Sequence, residues 1–114
     1  MRQIEIPVRV RWWRKYKRLV LIPPRRETRK ELLNELSSGN EYYGVVRISK
    51  YGEPVTFKVE VKFYVWSWEN RDKIPGLNTI FVIVDTDCHV CVDAIVDLVN
   101  QQGGTKGILT LYLP

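Results

Sequence analysis

Two groups of residues in this 114-residue chain could do chemistry, and they lie far apart in sequence. The first is the stretch Ile4 to Arg18, IEIPVRVRWWRKYKR, where Arg9, Arg11, Arg14, Lys15, Lys17 and Arg18 stand among Trp12, Trp13 and Tyr16. Cations beside aromatic rings suit a polyanion with unstacked bases. Ammonium and guanidinium groups displace counterions from phosphates, and the rings stack on base faces. The second group is Asp85-Thr86-Asp87-Cys88-His89-Val90-Cys91, which places two thiols, an imidazole and two carboxylates within seven residues. Such donors suit thiol–disulfide exchange or a divalent metal.

The charge distribution supports the first group. Residues 1–30 hold eleven Lys and Arg against Glu5 and Glu27, a balance of +9, whereas residues 31–114 hold seven against eleven acids. Arg25, Arg26, Arg29 and Lys30 form a second basic cluster where a helix should begin. The helix macrodipole disfavours cations there, so local helix stability does not explain them. This asymmetry fits nucleic acid as a partner; the competing readings are a solvated basic face or the acidic surface of another protein.

Apolar alternation at Ile4, Ile6, Val8, Val10 and Trp12 predicts a strand whose other face carries Glu5, Pro7, Arg9, Arg11 and Trp13. A second strand over 17–22 must stop at Pro23-Pro24, because proline lacks a ladder donor. Thr28-Arg29-Lys30-Glu31 fits a capping box for a helix over 28–38, with Gly39 just past its end. Tyr42 to Ser49 is a strand, Lys50 to Glu53 a hairpin turn, and Pro54 to Trp66 a long strand. Its polar face holds Thr56, Lys58, Glu60, Lys62, Tyr64 and Trp66. If that strand neighbours the first, Arg9, Arg11, Trp13, Lys58, Lys62, Tyr64 and Trp66 make one basic, aromatic surface. Ser67 to Asn78 is a polar loop, and Thr79 to Val84 is a strand covered on both faces. Asp87 is placed to cap a helix over 88–102 that Gly103 ends. A last strand runs over 107–113, and its connection is expected to be a right-handed parallel crossover.

The order β-β-α-β-β-β-α-β predicts one α+β domain over 1–114: a mixed sheet of about six strands with two helices on one face. From Leu19 onward it resembles, with one strand added, the ferredoxin-like arrangement of many RNA-binding sheets, although the aromatic RNA-recognition signature is absent. No internal repeat is visible. Apolar residues are 45% and charged residues 27% of the chain, no 18-residue apolar run is present, and Met1 is followed by Arg2 and alternation rather than a continuous apolar segment. A soluble, cytoplasmic protein without membrane association is expected.

Cys88-His89-Val90-Cys91 at a helix start resembles the redox motif of thioredoxin-like proteins. The resemblance implies a Cys88 thiolate held by the helix N-terminus and a resolving Cys91. That fold needs a further strand, hairpin and helix after the motif, but 23 residues follow Cys91. Cys88, Cys91, Val92, Ile95 and Val99 also share one helical stripe, so core packing or a structural disulfide is the competing reading. A metal would use Cys88, His89 and Cys91, with an aspartate or a second subunit completing the four ligands of a structural zinc site. His89, Asp93 and Asp97 share a helix face as well, and a solvated acidic face explains them. Val84-Asp85-Thr86-Asp87 resembles the first motif of haloacid-dehalogenase phosphatases, and Glu60-Val61-Lys62 resembles half of a restriction-type nuclease site. The partner motifs of both are missing, and alternating charges on a strand face suit cross-strand pairs. No cofactor is implied.

The resulting expectation is a small, non-enzymatic nucleic-acid-binding protein that prefers single-stranded DNA or RNA. Arg9, Arg11, Arg14, Lys15, Lys17 and Arg18, with Arg25, Arg26, Arg29 and Lys30, would meet phosphates, joined by Lys58 and Lys62. Trp13, Tyr16 and Trp66 would stack on bases. The alternatives are a thiol–disulfide or metal-dependent protein centred on Cys88, His89 and Cys91, and an assembly subunit burying Trp12, Trp13, Trp66 and Trp68 at an interface, with self-association.

Overall fold

The computed structural model describes residues 2–67 and 77–114, apart from the side chains of Arg26, Trp66, Ser67, Leu77 and Asn78. Six strands and two helices follow in the order β1 (Arg2–Trp13), β2 (Arg18–Ile22), α1 (Arg26–Glu35), β3 (Glu41–Lys50), β4 (Glu53–Ser67), β5 (Leu77–Thr86), α2 (His89–Gln102) and β6 (Thr105–Leu113). Element order is as the residue patterns predict, but the architecture is not an open mixed sheet. The strands close into a barrel in the ring order β1-β2-β5-β4-β3-β6, and every neighbouring pair is antiparallel. Closure gives each strand a paired neighbour on both sides, although β2 covers only Arg9 to Trp13 of β1. The ferredoxin-like order and the helices on one face are both overturned.

The difference arises at the last strand. β6 does not return beside β5 as a parallel crossover; it crosses to the far side of the ring and pairs with β1 (Ile6 with Leu109) and β3 (Val46 with Leu109). β5 and β6 are three places apart in either direction round the ring, as are β2 and β3. Each helix therefore carries the chain between opposite sides of the barrel. α2 lies at the end that holds the β1–β2 turn, where Arg11 bonds to Gly103. α1 lies at the other end, where Glu35 pairs with Arg2.

This ring order contains a structural duplication. Residues 2–50 form a ββαβ unit, residues 53–113 form a second, and exchanging β1 with β4, β2 with β5 and β3 with β6 leaves the ring unchanged. The two halves share no visible sequence repeat because a barrel strand requires apolar alternation, not particular residues.

The interior is filled by the alternate residues of every strand. Ile6, Val8 and Val10 of β1, Leu19 and Leu21 of β2, Val46 and Ile48 of β3, Phe57 to Phe63 at alternate positions of β4, Phe81 and Ile83 of β5, and Leu109 to Leu113 of β6 share one cluster. Phe63 and Phe81 meet within it, with ring centroids 5.0 Å apart. β2 stops at Ile22, opposite Arg9, so it lines half of β1, and Leu32 of α1 with Leu36 just past its end complete the core toward the other end. Ile95, Leu98 and Val99 of α2 complete it at the hairpin end. β5 is covered on both faces, because Ile80 and Val82 join Val20 in a second buried cluster outside the barrel.

Helix ends differ from the motif-based expectation at α1 and agree with it at the end of α2. α1 begins two residues before Thr28, behind Arg25, and no side chain caps it. It ends at Glu35, and Gly39 instead turns the chain into β3, donating its N–H to Phe63 O at 2.7 Å. α2 ends at Gly103 in the left-handed region (φ 78°), where glycine carries no Cβ penalty. Its N-cap is Cys88 rather than Asp87. Asp87 bonds both ways with β4, its Oδ1 accepting from Lys58 N at 3.0 Å and its N–H donating to Lys58 O. The long loop expected between β4 and β5 falls mostly on residues 68–76, outside the described residues, as does Trp68. Among the described residues no helix is long and apolar enough to cross a membrane.

Candidate nucleic-acid interface

Alternation along β1 turns Arg9, Arg11 and Trp13 to the outer face, as expected, because Val8, Val10 and Trp12 belong inside. The turn that follows is exposed from Arg14 to Arg18. Two backbone bonds shape it, Tyr16 N to Trp13 O at 3.2 Å and Lys17 N to Arg14 O at 3.3 Å, with Lys17 at positive φ (52°). Tyr16 is 53% exposed. Its ring stands edge-on to Trp13 with centroids 4.5 Å apart, and Lys15 Nζ lies 5.4 Å from its centre. Trp13 is half-buried and packs against Val20, Ile80 and Val82. Trp13 therefore holds the aromatic pair in place, and Tyr16 presents it.

Lys106 belongs to this surface although no sequence motif marks it. The β1–β6 register places it directly opposite Arg9. Arg11 reaches the same corner and donates through Nη1 to Gly103 O at 3.0 Å. Like charges facing each other across a ladder destabilise a sheet, so the Arg9–Lys106 pair adds nothing to the stability of the fold. In the sequence its role is hidden, because the run Gly103 to Gly107 reads as a helix stop.

The other predicted cations lie elsewhere. Arg25, Arg29 and Lys30 belong to the α1 segment, and the side chain of Arg26 is outside the described residues. Arg29 serves the fold, since its Nε donates to Pro23 O at 2.9 Å and holds the turn that follows β2. β4 is opposite β1 in the ring, so Lys58 and Lys62 do not join Arg9 and Arg11. The expected common surface of β1 and β4 is thereby corrected. Lys62 faces Glu41 across the ladder and lies over the Tyr64 ring at 5.5 Å. The Trp66 side chain is outside the described residues.

A second aromatic pair, exposed at Tyr43 and half-buried at Tyr112, carries no mark in the sequence. Tyr43 and Tyr112 are cross-strand partners on the outer face, beside Lys58 in a groove of about 410 Å³. Acidic residues crowd this side. Glu60 is opposite Tyr43 on one flank and Asp85 on the other. The Glu60 carboxyl is raised above the usual glutamate range, first by a hydrogen bond with Glu41, then by partial burial and by the charges of Glu41 and Asp85. A polyanion is less welcome here than at the hairpin.

At the start of α2, Cys88 and Cys91 are joined as a disulfide, with Cα atoms 5.2 Å apart. Cys88 Sγ accepts the Cys91 N–H at 3.2 Å, and Cys88 N donates to Thr86 Oγ1 at 3.1 Å. Both cysteines are half-buried against the barrel core. The disulfide removes the two thiolates that a metal reading requires, and among the described residues no three His, Cys, Asp or Glu side chains converge on a metal position. His89 instead faces the basic hairpin across a groove of about 380 Å³. Lys17 and Arg18 form one wall, Asp85, His89 and Asp93 the other, and Trp12 and Leu19 lie between. The two sequence motifs thus meet in space. The acidic wall of this groove would repel a phosphate chain, so the outer face of β1 and β6 is the better path for one. Trp12 and Trp13 are both half-buried, Trp12 against the barrel core and Trp13 against the outer cluster.

Compared with protein-family models, with curated proteins and with solved structures, the chain matches none.

Proposed function

We propose that the protein binds single-stranded nucleic acid through the outer face of the β1–β2 hairpin and the adjoining start of β6. The observation that carries this reading is the exposed turn Arg14-Lys15-Tyr16-Lys17-Arg18, in which a tyrosine ring stands among four cations. Among the described residues the one ion pair joins Arg2 to Glu35, so none of these four cations is in contact with a carboxylate there, although Lys17 and Arg18 face Asp85 and Asp93 across the groove. Unneutralised cations release counterions when they meet phosphates, with a salt slope of roughly 0.7 per phosphate for single strands. Tyr16 offers a stacking face, worth about 1–3 kcal/mol per base, which an intact duplex does not expose bases to use. Fluorescence anisotropy with labelled single- and double-stranded DNA and RNA at two salt concentrations tests the reading. Single strands should bind more tightly, the affinity should fall with salt, and the Arg14/Lys15/Lys17/Arg18 quadruple alanine variant should lose most of it. Salt-independent affinity, or full affinity in the variant, would sink the proposal.

A second reading rests on the disulfide. Cys88 is the N-cap of α2 and its sulfur accepts a backbone N–H, an environment that stabilises a thiolate once the bond is reduced. Thiol–disulfide activity would then belong to this end of α2. Reduction in glutathione buffers checks it: a disulfide that stays oxidised under strongly reducing conditions is structural, whereas one that exchanges readily is active.

A further inference from the structure

We infer that the recess where β1, β6 and the C-terminus of α2 meet is a seat for one phosphate group. The inference deepens the nucleic-acid reading and rests on it for the source of that phosphate. The recess has a volume of about 220 Å³ and is lined by Arg9, Arg11, Gly103, Gly104 and Lys106, among others. Three cations therefore surround it, and no carboxylate and no aromatic ring lines it. The chemistry matches a tetrahedral oxyanion rather than a base, because there is no face to stack on and no acceptor-rich wall to read a base edge.

The three cations are positioned by the fold rather than gathered by chance at a flexible tip. Arg9 and Lys106 are register partners across β1 and β6, so their Cα atoms are held by the ladder. Arg11 follows on the same face of β1 and is anchored by its bond to Gly103 O. A guanidinium has five donors, and this bond takes one, leaving the rest for an oxyanion. The carbonyl end of a helix would ordinarily repel an anion. Here the carbonyl of Gly103 is already engaged by Arg11, and the three cations outweigh a half-charge of macrodipole. The chain leaves α2 through Gly103 and Gly104, both at positive φ (78° and 151°), so no side chain stands at this mouth. A Cβ on Gly104 would lie 3.7 Å from Arg11 Nη1, against the guanidinium that should receive the anion.

Nuclear magnetic resonance titration of the ¹⁵N-labelled protein with inorganic pyrophosphate tests the seat without any nucleic acid. Saturable shifts are expected at the amides of Gly104, Thr105 and Lys106. The double variant Arg9→Gln/Lys106→Gln should bind at least tenfold more weakly, and Lys106→Arg should retain binding. Shifts that are absent, that never saturate, or that persist in the Arg9→Gln/Lys106→Gln variant would overturn the seat. A labelled thymidine oligonucleotide forms the second arm, in which Lys106→Gln should reduce the salt slope by about 0.7. Pyrophosphate binding without oligonucleotide binding would uphold the seat, assign it to a free phosphorylated molecule, and overturn the nucleic-acid reading. Oligonucleotide binding without pyrophosphate binding would do the reverse.

Discussion

Arg11 and Gly103 are 92 residues apart in sequence and joined by a 3.0 Å hydrogen bond from Nη1 to the backbone carbonyl. The bond ties the end of α2 to the outer face of β1 and gives a carbonyl left over at the helix terminus a charged donor. Because the pair is exposed, its contribution is at the low end for such bonds, about 1 kcal/mol. Arg11→Ala should lower unfolding free energy by about that amount and speed amide exchange in the last turn of α2. A variant with unchanged exchange there would show that the bond does not hold the helix.

The disulfide closes a very short loop, four residues from Cys88 to Cys91. Chain-entropy arguments give such a loop about 2 kcal/mol. The Cys88→Ser/Cys91→Ser variant should lose roughly that much in urea unfolding while keeping the barrel. Serine at position 88 can still accept the N–H of residue 91 as an N-cap, so α2 should persist in the far-ultraviolet spectrum. A loss of the whole fold would contradict this account.

Gly44 is buried in β3 opposite Leu111 of β6. A Cβ placed there would sit 2.4 Å from the carbonyl oxygen of Thr110, a backbone atom that cannot rotate away. Gly44→Ala should therefore cost about 3 kcal/mol, the upper range for overpacking. A denaturant midpoint within error of the parent would show that β3 and β6 separate easily, and the closed ring would then be in doubt.

Glu60 gives a pH test with a defined sign. Its carboxyl is raised by the hydrogen bond with Glu41, by partial burial and by the neighbouring charges, so the folded state holds this proton more tightly than the unfolded chain does. The stabilisation is fully present below the ordinary glutamate range and is lost as pH rises through the raised folded value. Glu60→Gln keeps a donor for Glu41 and removes the charge. Its melting temperature should exceed that of the parent at neutral pH, and the difference should vanish in acid below the ordinary glutamate range. Equal melting temperatures under both conditions would remove the coupling.

The residue order by itself determined the local elements. Period-two alternation over Ile4 to Trp12 and Val55 to Val65 identified β1 and β4 and the side of each that is buried, because side-chain direction in a strand needs no knowledge of its neighbours. Gly103 marked the end of α2 for the same reason: a left-handed residue is a local requirement. Capping-box logic failed at Thr28, which sits inside the first turn of α1 instead of before it. There Leu32 and Leu36 must reach the barrel core, and that tertiary demand overrides the cap.

Tertiary structure alone decided which elements are neighbours. Strand pairing joins residues far apart in the chain, such as Arg9 with Lys106 and Ile6 with Leu109, and alternation is satisfied equally by an open mixed sheet and by a closed antiparallel ring. The ring placed β4 opposite β1 and so divided a basic surface that a shared sheet would have united. It also brought Lys106 to Arg9, and His89 into the groove beside Lys17 and Arg18. The residues able to do chemistry were legible as types, but their grouping was set by a chain path that crosses the barrel twice, once at each end.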